Sequence, residues 1–160
     1  MWIASGFLLA MTLSLFFLAR HKRDGSHVQG LKQAGEMFYS LLPLLLLAFL
    51  LAGLLQVAVP PETIQSWLGE EAGWKGIVIG TFTGSLILGG PYAAFPVISS
   101  IYEMGAGLAT AVAMITGWAL LGLGQLIMGL AFIGLRFTVL RTLLVLIFPF
   151  LAGGICLLLF

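Results

Sequence analysis

The stretch from Gly80 to Gly107, GTFTGSLILGGPYAAFPVISSIYEMGAG, decides how this chain folds. It is apolar enough to lie in a bilayer, yet the Gly89–Pro91 run and Pro96 interrupt it where a continuous spanning helix would not be interrupted. Irregular backbone at membrane depth is costly unless protein covers it or it lines a wet cavity. A broken hydrophobic segment of this kind therefore predicts a substrate or permeation site.

The composition around this stretch is that of an integral membrane protein. Of 160 residues, 61% are hydrophobic and only 8% are charged, and the mean hydropathy is +1.14. Soluble domains carry about 25% charged residues, so a water-facing surface cannot be built here. At roughly 20 apolar residues per crossing, the chain has room for four to six membrane segments. We expect one all-α membrane domain, a polytopic helical bundle, over residues 1–160.

The sequence lacks the residues that several classes of function require. Seven basic residues without a basic stripe argue against nucleic-acid binding. The lone cysteine, Cys156, excludes an intramolecular disulfide and a multi-thiolate metal site. His21 and His27 are interpreted as solvated loop residues rather than metal ligands. Because no carboxylate pair or nucleophile–base pair stands out, we expect no enzyme activity, no metal and no cofactor.

The first apolar segment, residues 2–19, sets the expected orientation. Its positive charges, Arg20, Lys22 and Arg23, follow it, whereas a signal peptide carries them before its apolar region. The segment therefore reads as an anchor. By the positive-inside rule, the loop 20–33 is cytoplasmic. The N-terminus then lies on the outer side of the cytoplasmic (inner) membrane.

Further crossings are expected at 35–59, with a kink at Pro43, and at 106–134 and 137–160. Between them, residues 61–70 have the pattern of a short interfacial helix, with tryptophans nearby for the headgroup level. The 29-residue segment 106–134 is too long for a straight crossing and should tilt or break near Gly122 and Gly124.

Residues 76–103 can be read in two ways. As a single crossing they leave four basic residues inside, in loop 20–33, against three outside, which are Lys75, Arg136 and Arg141. As a re-entrant hairpin they place the loop holding Arg136 and Arg141 inside. Six basic residues then lie inside and one, Lys75, lies outside. Each arm would rise only about 20 Å, short of the ~30 Å hydrocarbon core. Charge and length favour the hairpin, with a single, longer broken crossing as the alternative.

Two rows of small residues at four-residue spacing flank the broken segment. Such rows remove side-chain bulk from one helix face and let two backbones approach closely. We expect them to pack the first hairpin arm and the long helix inside the bundle. The first row holds Gly76, Gly80 and Gly84, and the second holds Gly105, Ala109, Ala113 and Gly117.

Polar and helix-breaking residues in the apolar segments define an expected substrate path. Helix termini at the break would expose backbone N–H and C=O groups, which bind ions and polar solutes. Glu103 is ionisable beside a membrane segment and is either functional or an interfacial carboxylate. The path residues are Ser85, Gly89, Gly90, Pro91, Tyr92, Pro96, Ser99, Glu103 and Gln125.

Three segments resemble the permease family typified by YraQ and ArsP-type proteins. They are PPETIQSWLGEEAGWKG from Pro60, the Gly80–Gly107 stretch, and the basic loop GLRFTVLR. Those permeases have two related halves, so the resemblance implies a half-size subunit that pairs as a homodimer or with a second permease half. Many relatives carry a Cys-Ser-Cys-type segment near the first broken helix, whereas this chain has PYAAFP, which puts arsenic or thiolate-metal transport in doubt.

Together these features predict a half-size permease subunit in the lipid bilayer. It would move a small solute or ion by alternating access or through a narrow pore between two protomers. The alternative is a non-transporting membrane subunit that scaffolds or regulates a larger complex.

Overall fold

The computed structural model describes residues 2–21 and 25–160, and every regular element in these ranges is helical. A short 3₁₀ helix, Glu70–Ala72, joins the third and fourth α-helices. The α-helices are α1 (Trp2–His21), α2 (Ser26–Ala58), α3 (Pro61–Leu68), α4 (Gly73–Leu86), α5 (Pro91–Glu103), α6 (Leu108–Leu121), α7 (Leu123–Phe132), α8 (Leu135–Val145) and α9 (Ile147–Leu159).

Three helical segments are long and apolar enough to cross a membrane. They are Ser26–Ala58, Leu108–Phe132 and Leu135–Leu159, of 33, 25 and 25 residues, and Ser5–His21 is a shorter apolar helix. Since about 20 residues span the hydrocarbon core, each of the three has sufficient length. The all-α membrane architecture predicted from composition is confirmed.

The chain forms two compact units, Met1–Pro43 and Leu44–Phe160. In the first unit, the Ser26 hydroxyl donates to the carbonyl of Ala19 at 3.3 Å, and the rings of Phe16 and His27 meet edge to face, 6.2 Å apart. The loop predicted over 20–33 is wrong at its end, because α2 begins at Ser26. Gly25, with φ +77°, turns the chain before it. Lys22 and Arg23 lie outside the described residues.

The second unit is built around α4 and α6, which pack closely along their length. The position of a Cβ added to Gly76 would lie 2.5 Å from the Thr110 hydroxyl, and one added to Gly84 would lie 2.2 Å from the Met114 carbonyl oxygen. Both residue numbers rise together along this contact, so α4 and α6 run parallel.

Helix α5 runs the opposite way along α6. Phe95 meets the Trp118 ring edge to face with centroids 6.0 Å apart, while Tyr102, further along α5, shares a hollow with Leu108 at the start of α6. The chain therefore runs parallel to α6 in α4, reverses at residues 87–90, and runs antiparallel to α6 in α5.

The last two helices return beside the two before them. A Cβ at Gly129 of α7 would touch the Thr138 hydroxyl of α8 at 2.8 Å, and one at Gly153 of α9 would lie 3.2 Å from the Ala109 carbonyl of α6. Segment 135–159 is thus antiparallel to segment 108–132. The two segments form a hairpin against which α4 also packs through Ile77.

The connection between α7 and α8 differs from the sequence prediction. A basic loop was expected to hold Arg136 and Arg141, but both lie within α8, and only Ile133 and Gly134 separate the two helices. Gly134, with φ +112°, makes this link short. The last segment consequently begins at Leu135, not at residue 137.

Smaller differences concern the ends of the other elements. The predicted 61–70 helix ends at Leu68, whose carbonyl accepts the N–H of Gly107 at 2.8 Å. The long segment expected over 106–134 starts at Leu108 and breaks at Gly122, where φ −52° and ψ 136° are not helical. Trp67 is half exposed and stacks under the Lys75 ammonium, 4.1 Å from the ring centroid.

Candidate functional site

The centre of the candidate site is the break between α4 and α5. Four residues, 87–90, separate the two helices. Gly89 has φ +113°, a backbone conformation that favours glycine. Gly90 is extended and caps α5, and Pro91 occupies the first helical position, where its missing N–H costs nothing. The Gly-Gly-Pro sequence therefore stops one helix and starts the next within a few residues.

The break lies beside the middle of two long helical segments. The Trp118 indole Nε1 donates to the Gly89 carbonyl oxygen at 3.4 Å, and a Cβ at Gly89 would lie 4.0 Å from the Leu44 side chain. Trp118 is the eleventh of 25 residues in the segment Leu108–Phe132, and Leu44 is the nineteenth of 33 in α2. In helices that span a bilayer, these positions lie near its midplane.

A cavity of about 770 Å³ adjoins the break and extends along α7 and α8. Its wall is mostly apolar and aromatic, with few polar side chains. Such a wall with a few placed polar groups is typical of small-molecule sites. The lining residues are Ile87, Gly89, Trp118, Gly122, Gly124, Gln125, Met128, Gly129, Phe132, Ile133, Phe137, Thr138 and Arg141.

Arg141 and Gln125 are the strongly polar pair in this cavity. The Arg141 guanidinium donates through Nη2 to the Gln125 Oε1, and the Gln125 Nε2 donates to the carbonyl of Ala119. Gln125 was expected on the path, whereas Arg141 was missed because it was assigned to a loop. One charge within the apolar run FTVLRTLLV was the available signal, since ionisable residues inside membrane segments are functional candidates by default.

The other polar cluster lies at the far end of α5, around Glu103. Gln56 donates to one Glu103 oxygen at 3.3 Å, and the Ser99 hydroxyl donates to the other at 3.4 Å. Two hollows, of about 420 and 250 Å³, share Gln56 and Glu103, and the smaller one also includes Pro96 and Ser99. Next to this cluster, the buried Ser100 hydroxyl donates to an α2 carbonyl.

The expected path residues therefore fall into two groups rather than one. Gly89 and Gln125 lie at the large cavity, while Pro96, Ser99 and Glu103 lie further along α5, from its middle to its last residue, about 8 to 20 Å from the break. The remaining path residues lie at the break or within a few residues of it. Ser85 bonds back to the Phe82 carbonyl at 2.7 Å, Gly90 and Pro91 start α5, and Tyr92 is half exposed.

The two rows of small residues lie along the packed helices α4 and α6, but the first row faces Thr110 and Met114 rather than members of the second row. Gly76, Gly80 and Gly84 are buried against Thr110 and Met114. Members of the second row take different positions. Gly117 faces the Thr81 carbonyl, Ala113 is fully buried, Ala109 is half-buried, and Gly105 lies in the turn before α6, against the Gln65 side chain.

Metal-binding side chains do not cluster in the described part of the chain. Over residues 2–21 and 25–160, no group of three or more His, Cys, Asp or Glu residues is placed to hold an ion. Cys156 is half-buried in α9. The polar chemistry of the site is thus that of one guanidinium, one carboxylate, amides, hydroxyls and the backbone groups at the break.

Comparison with known proteins agrees with this architecture. Residues 31–160 match the ArsP_1 family, which is described as "Predicted permease". A UPF0718 protein of Methanocaldococcus jannaschii is 24% identical over 115 residues, which are 72% of this chain but only 30% of that relative's length. No solved structure matches. With its three apolar helices of spanning length, the chain is a multi-pass membrane protein, and it belongs to the ArsP_1 family of predicted permeases.

Proposed function

We propose that this chain is a permease subunit that moves a small solute or ion through a site at the Gly89–Pro91 break. The observation that carries the proposal is the position of the break. It lies beside the middle of two helices of spanning length and borders a cavity of about 770 Å³. Unpaired helix ends at this depth are tolerated where they line a cavity, and in transporters they bind the cargo.

A re-entrant course for residues 76–103 belongs to the same proposal. Gly76 and Tyr102 both lie beside the first turn of α6, at Thr110 and Leu108, although they sit on different arms. Helices α4 and α5 have 14 and 13 residues, which is about 20 Å each and short of the ~30 Å core. Both features support two arms that enter and leave on one side.

The Glu103 cluster supports a second opening of the path. It lies at the opposite end of α5 from the large cavity, so α5 separates two polar regions that a solute would occupy in turn. Alternating access needs such a pair of openings around one central site. A movement of α5 between α2 and α6 would connect one region or the other to the break.

We further propose that a second permease half, from another copy or a partner, completes the path. Tyr92, Phe95, Ser99 and Tyr102 are exposed on one surface of α5, next to the proposed path. A second half covering this surface would close the path from lipid. The charge distribution supports an outside N-terminus and a cytoplasmic location for residues 20–33, in a protein of the cytoplasmic membrane.

Flux through reconstituted protein tests the proposal. Gly90 is suitable for blocking the path because it has φ −77° and no heavy atom within 4 Å of an added Cβ. Solutes are first screened for uptake into proteoliposomes, and Gly90→Trp is then compared with Gly35→Trp, an equally open position in the first unit. We expect loss of flux in the first variant and normal flux in the second. Equal flux in both would overturn the site, and absence of flux with copurification of a larger partner would favour a scaffold.

A further inference from the structure

Arg141 is a cation without a carboxylate partner in a mostly apolar cavity. Within the described ranges, Lys32 and Glu36 of the first unit form an ion pair, and Arg141 forms none. No acidic residue lines the 770 Å³ cavity. Arg141 is half-buried six residues into α8, about 9 Å along the helix. Placing a charge there is costly in a membrane segment, and such residues mark ion or substrate pathways.

The hydrogen bonding of Arg141 leaves donors for a ligand. A guanidinium has five N–H donors and no acceptor. Within the described chain, one nitrogen is engaged by Gln125, and Gln125 is itself fixed by its bond to the Ala119 carbonyl. The glutamine therefore holds the guanidinium in place without neutralising it. The N-terminus of α7, at Gly122 in the same wall, adds a partial positive charge.

The apolar lining of the cavity indicates the chemistry of the other end of the ligand. Trp118, Met128, Phe132 and Phe137 surround the polar pair with apolar and aromatic surface. An inorganic anion would fill only a small part of about 770 Å³ and would leave this surface wet. An apolar body attached to an acidic group satisfies both parts of the wall.

We propose that this cavity binds an amphiphilic organic anion, with its acidic group on Arg141 and its apolar body against Trp118. The inference rests on the proposed transport function, because it gives the chemical class of the solute at the same site. A carboxylate or phosphate accepts paired bonds from guanidinium, which gives orientation as well as affinity. A free organic acid and an anionic lipid headgroup share this chemistry.

Binding of a matched pair of probes tests the charge requirement. The full chain in detergent is dialysed against 4-nitrobenzoate and against 4-nitrobenzamide, which has the same ring and no charge. We expect saturable benzoate binding at least about tenfold tighter than amide binding, as for a charge-assisted hydrogen bond. Quenching of tryptophan fluorescence by the bound nitro group should be largely lost in Trp118→Phe. Equal affinity for the two probes would overturn the inference.

Variants of the two arginines of α8 locate the charge. Arg141→Gln should weaken nitrobenzoate binding about tenfold, while Arg136→Gln, at the exposed start of the same helix, should leave it unchanged. Gln125→Glu, which places a carboxylate beside Arg141, should also weaken binding and serves if Arg141→Gln does not fold. Native affinity in both Arg141→Gln and Gln125→Glu would contradict the assignment.

Two further readouts separate the source of the anion and the underlying proposal. Phosphatidylglycerol retained by the native protein but not by Arg141→Gln, and displaced by nitrobenzoate, would identify a lipid headgroup as the source. Solute flux that persists in Arg141→Gln would refute the anion inference and leave the transport function standing. Arg141-dependent binding without flux of any tested solute would support the anion inference and refute the transport function.

Discussion

The indole N–H of Trp118 donates to the carbonyl oxygen of Gly89 at 3.4 Å, across 29 residues of sequence. This bond joins the break between α4 and α5 to the middle of the segment Leu108–Phe132. A carbonyl released from a helix inside a membrane needs a partner from the protein or from trapped water. Trp118 supplies that partner and also meets the Phe95 ring edge to face, so one side chain positions both the break and the helix that follows it.

Replacing Trp118 with Phe should loosen the break without unfolding the bundle. The phenyl ring keeps apolar contact with Phe95, while the donor to Gly89 is lost. Because the bond is long, its loss should cost no more than about 1 kcal/mol. Amide hydrogen exchange in a peptide covering 86–92 should accelerate several-fold. Trp67→Phe, at an exposed position away from the break, is the control and should leave that exchange unchanged.

The contact between α4 and α6 should be the part of the fold least tolerant of added bulk. A Cβ at Gly84 would approach the Met114 carbonyl to 2.2 Å, and one at Gly117 would approach the Thr81 carbonyl to 2.5 Å. Backbone atoms cannot move aside cheaply, so each Gly→Ala change should destabilise the protein by about 1–3 kcal/mol.

Gly53→Ala is the matched control for that pair of variants, because Gly53 is also helical but has no heavy atom within 4 Å of an added Cβ. It should be neutral or slightly stabilising, since alanine is the better helix former. Unfolding in mixed micelles, followed by circular dichroism, measures all three. Equal stability of Gly84→Ala and Gly53→Ala would show that the two helices are not in close contact.

Local patterns predicted the features that depend on local geometry. Small residues at four-residue spacing lie on one helix face whatever the neighbour is, so Gly76, Gly80 and Gly84 could be placed on a packing surface. The break followed from Gly89 and Pro91, because glycine permits a positive φ and proline fixes φ and lacks the N–H donor. The interruption also expected at Pro96 is wrong, because Pro96 lies inside α5. These short-range patterns did not show which residues of another helix each packing surface would contact.

The features that sequence reasoning missed depend on distant contacts or on the exact length of a link. Trp118 was not assigned to the site, because its bond to Gly89 joins residues from different helices. Arg141 was counted as a loop charge, because the two-residue link at Gly134 is shorter than the basic pattern suggested. A single charge in an apolar run has two explanations, an interface or a cavity, and only the tertiary fold distinguishes them.

Topology labelling should place both ends of the broken segment on one side of the membrane. In a Cys156→Ser background, Lys75→Cys and Glu103→Cys should react with an impermeant maleimide added outside intact cells. Arg136→Cys should react only after the membrane is opened. A single broken crossing would instead put Lys75 and Glu103 on opposite sides. Labelling of Arg136→Cys from outside would likewise contradict the re-entrant course.

Two neighbouring serines on α5 should separate stability from transport. The buried Ser100 hydroxyl donates to the Ala52 carbonyl at 2.9 Å and joins α5 to α2, whereas the exposed Ser99 hydroxyl reaches only the Glu103 carboxylate, at 3.4 Å. Ser100→Ala should lower the free energy of unfolding by about 0.5–1.5 kcal/mol, as for a net intramolecular hydrogen bond. Ser99→Ala should change it by less than about 0.5 kcal/mol, as for surface substitutions.

The same pair is then compared in the flux assay, normalised to folded protein. Ser99→Ala should reduce flux severalfold, because it removes a hydroxyl that holds the Glu103 carboxylate beside the hollow formed with α2. Ser100→Ala should retain most of its flux per folded molecule. If Ser99→Ala transports normally, the cluster at the end of α5 is a structural feature of the membrane interface, and the path has to leave the break by another route.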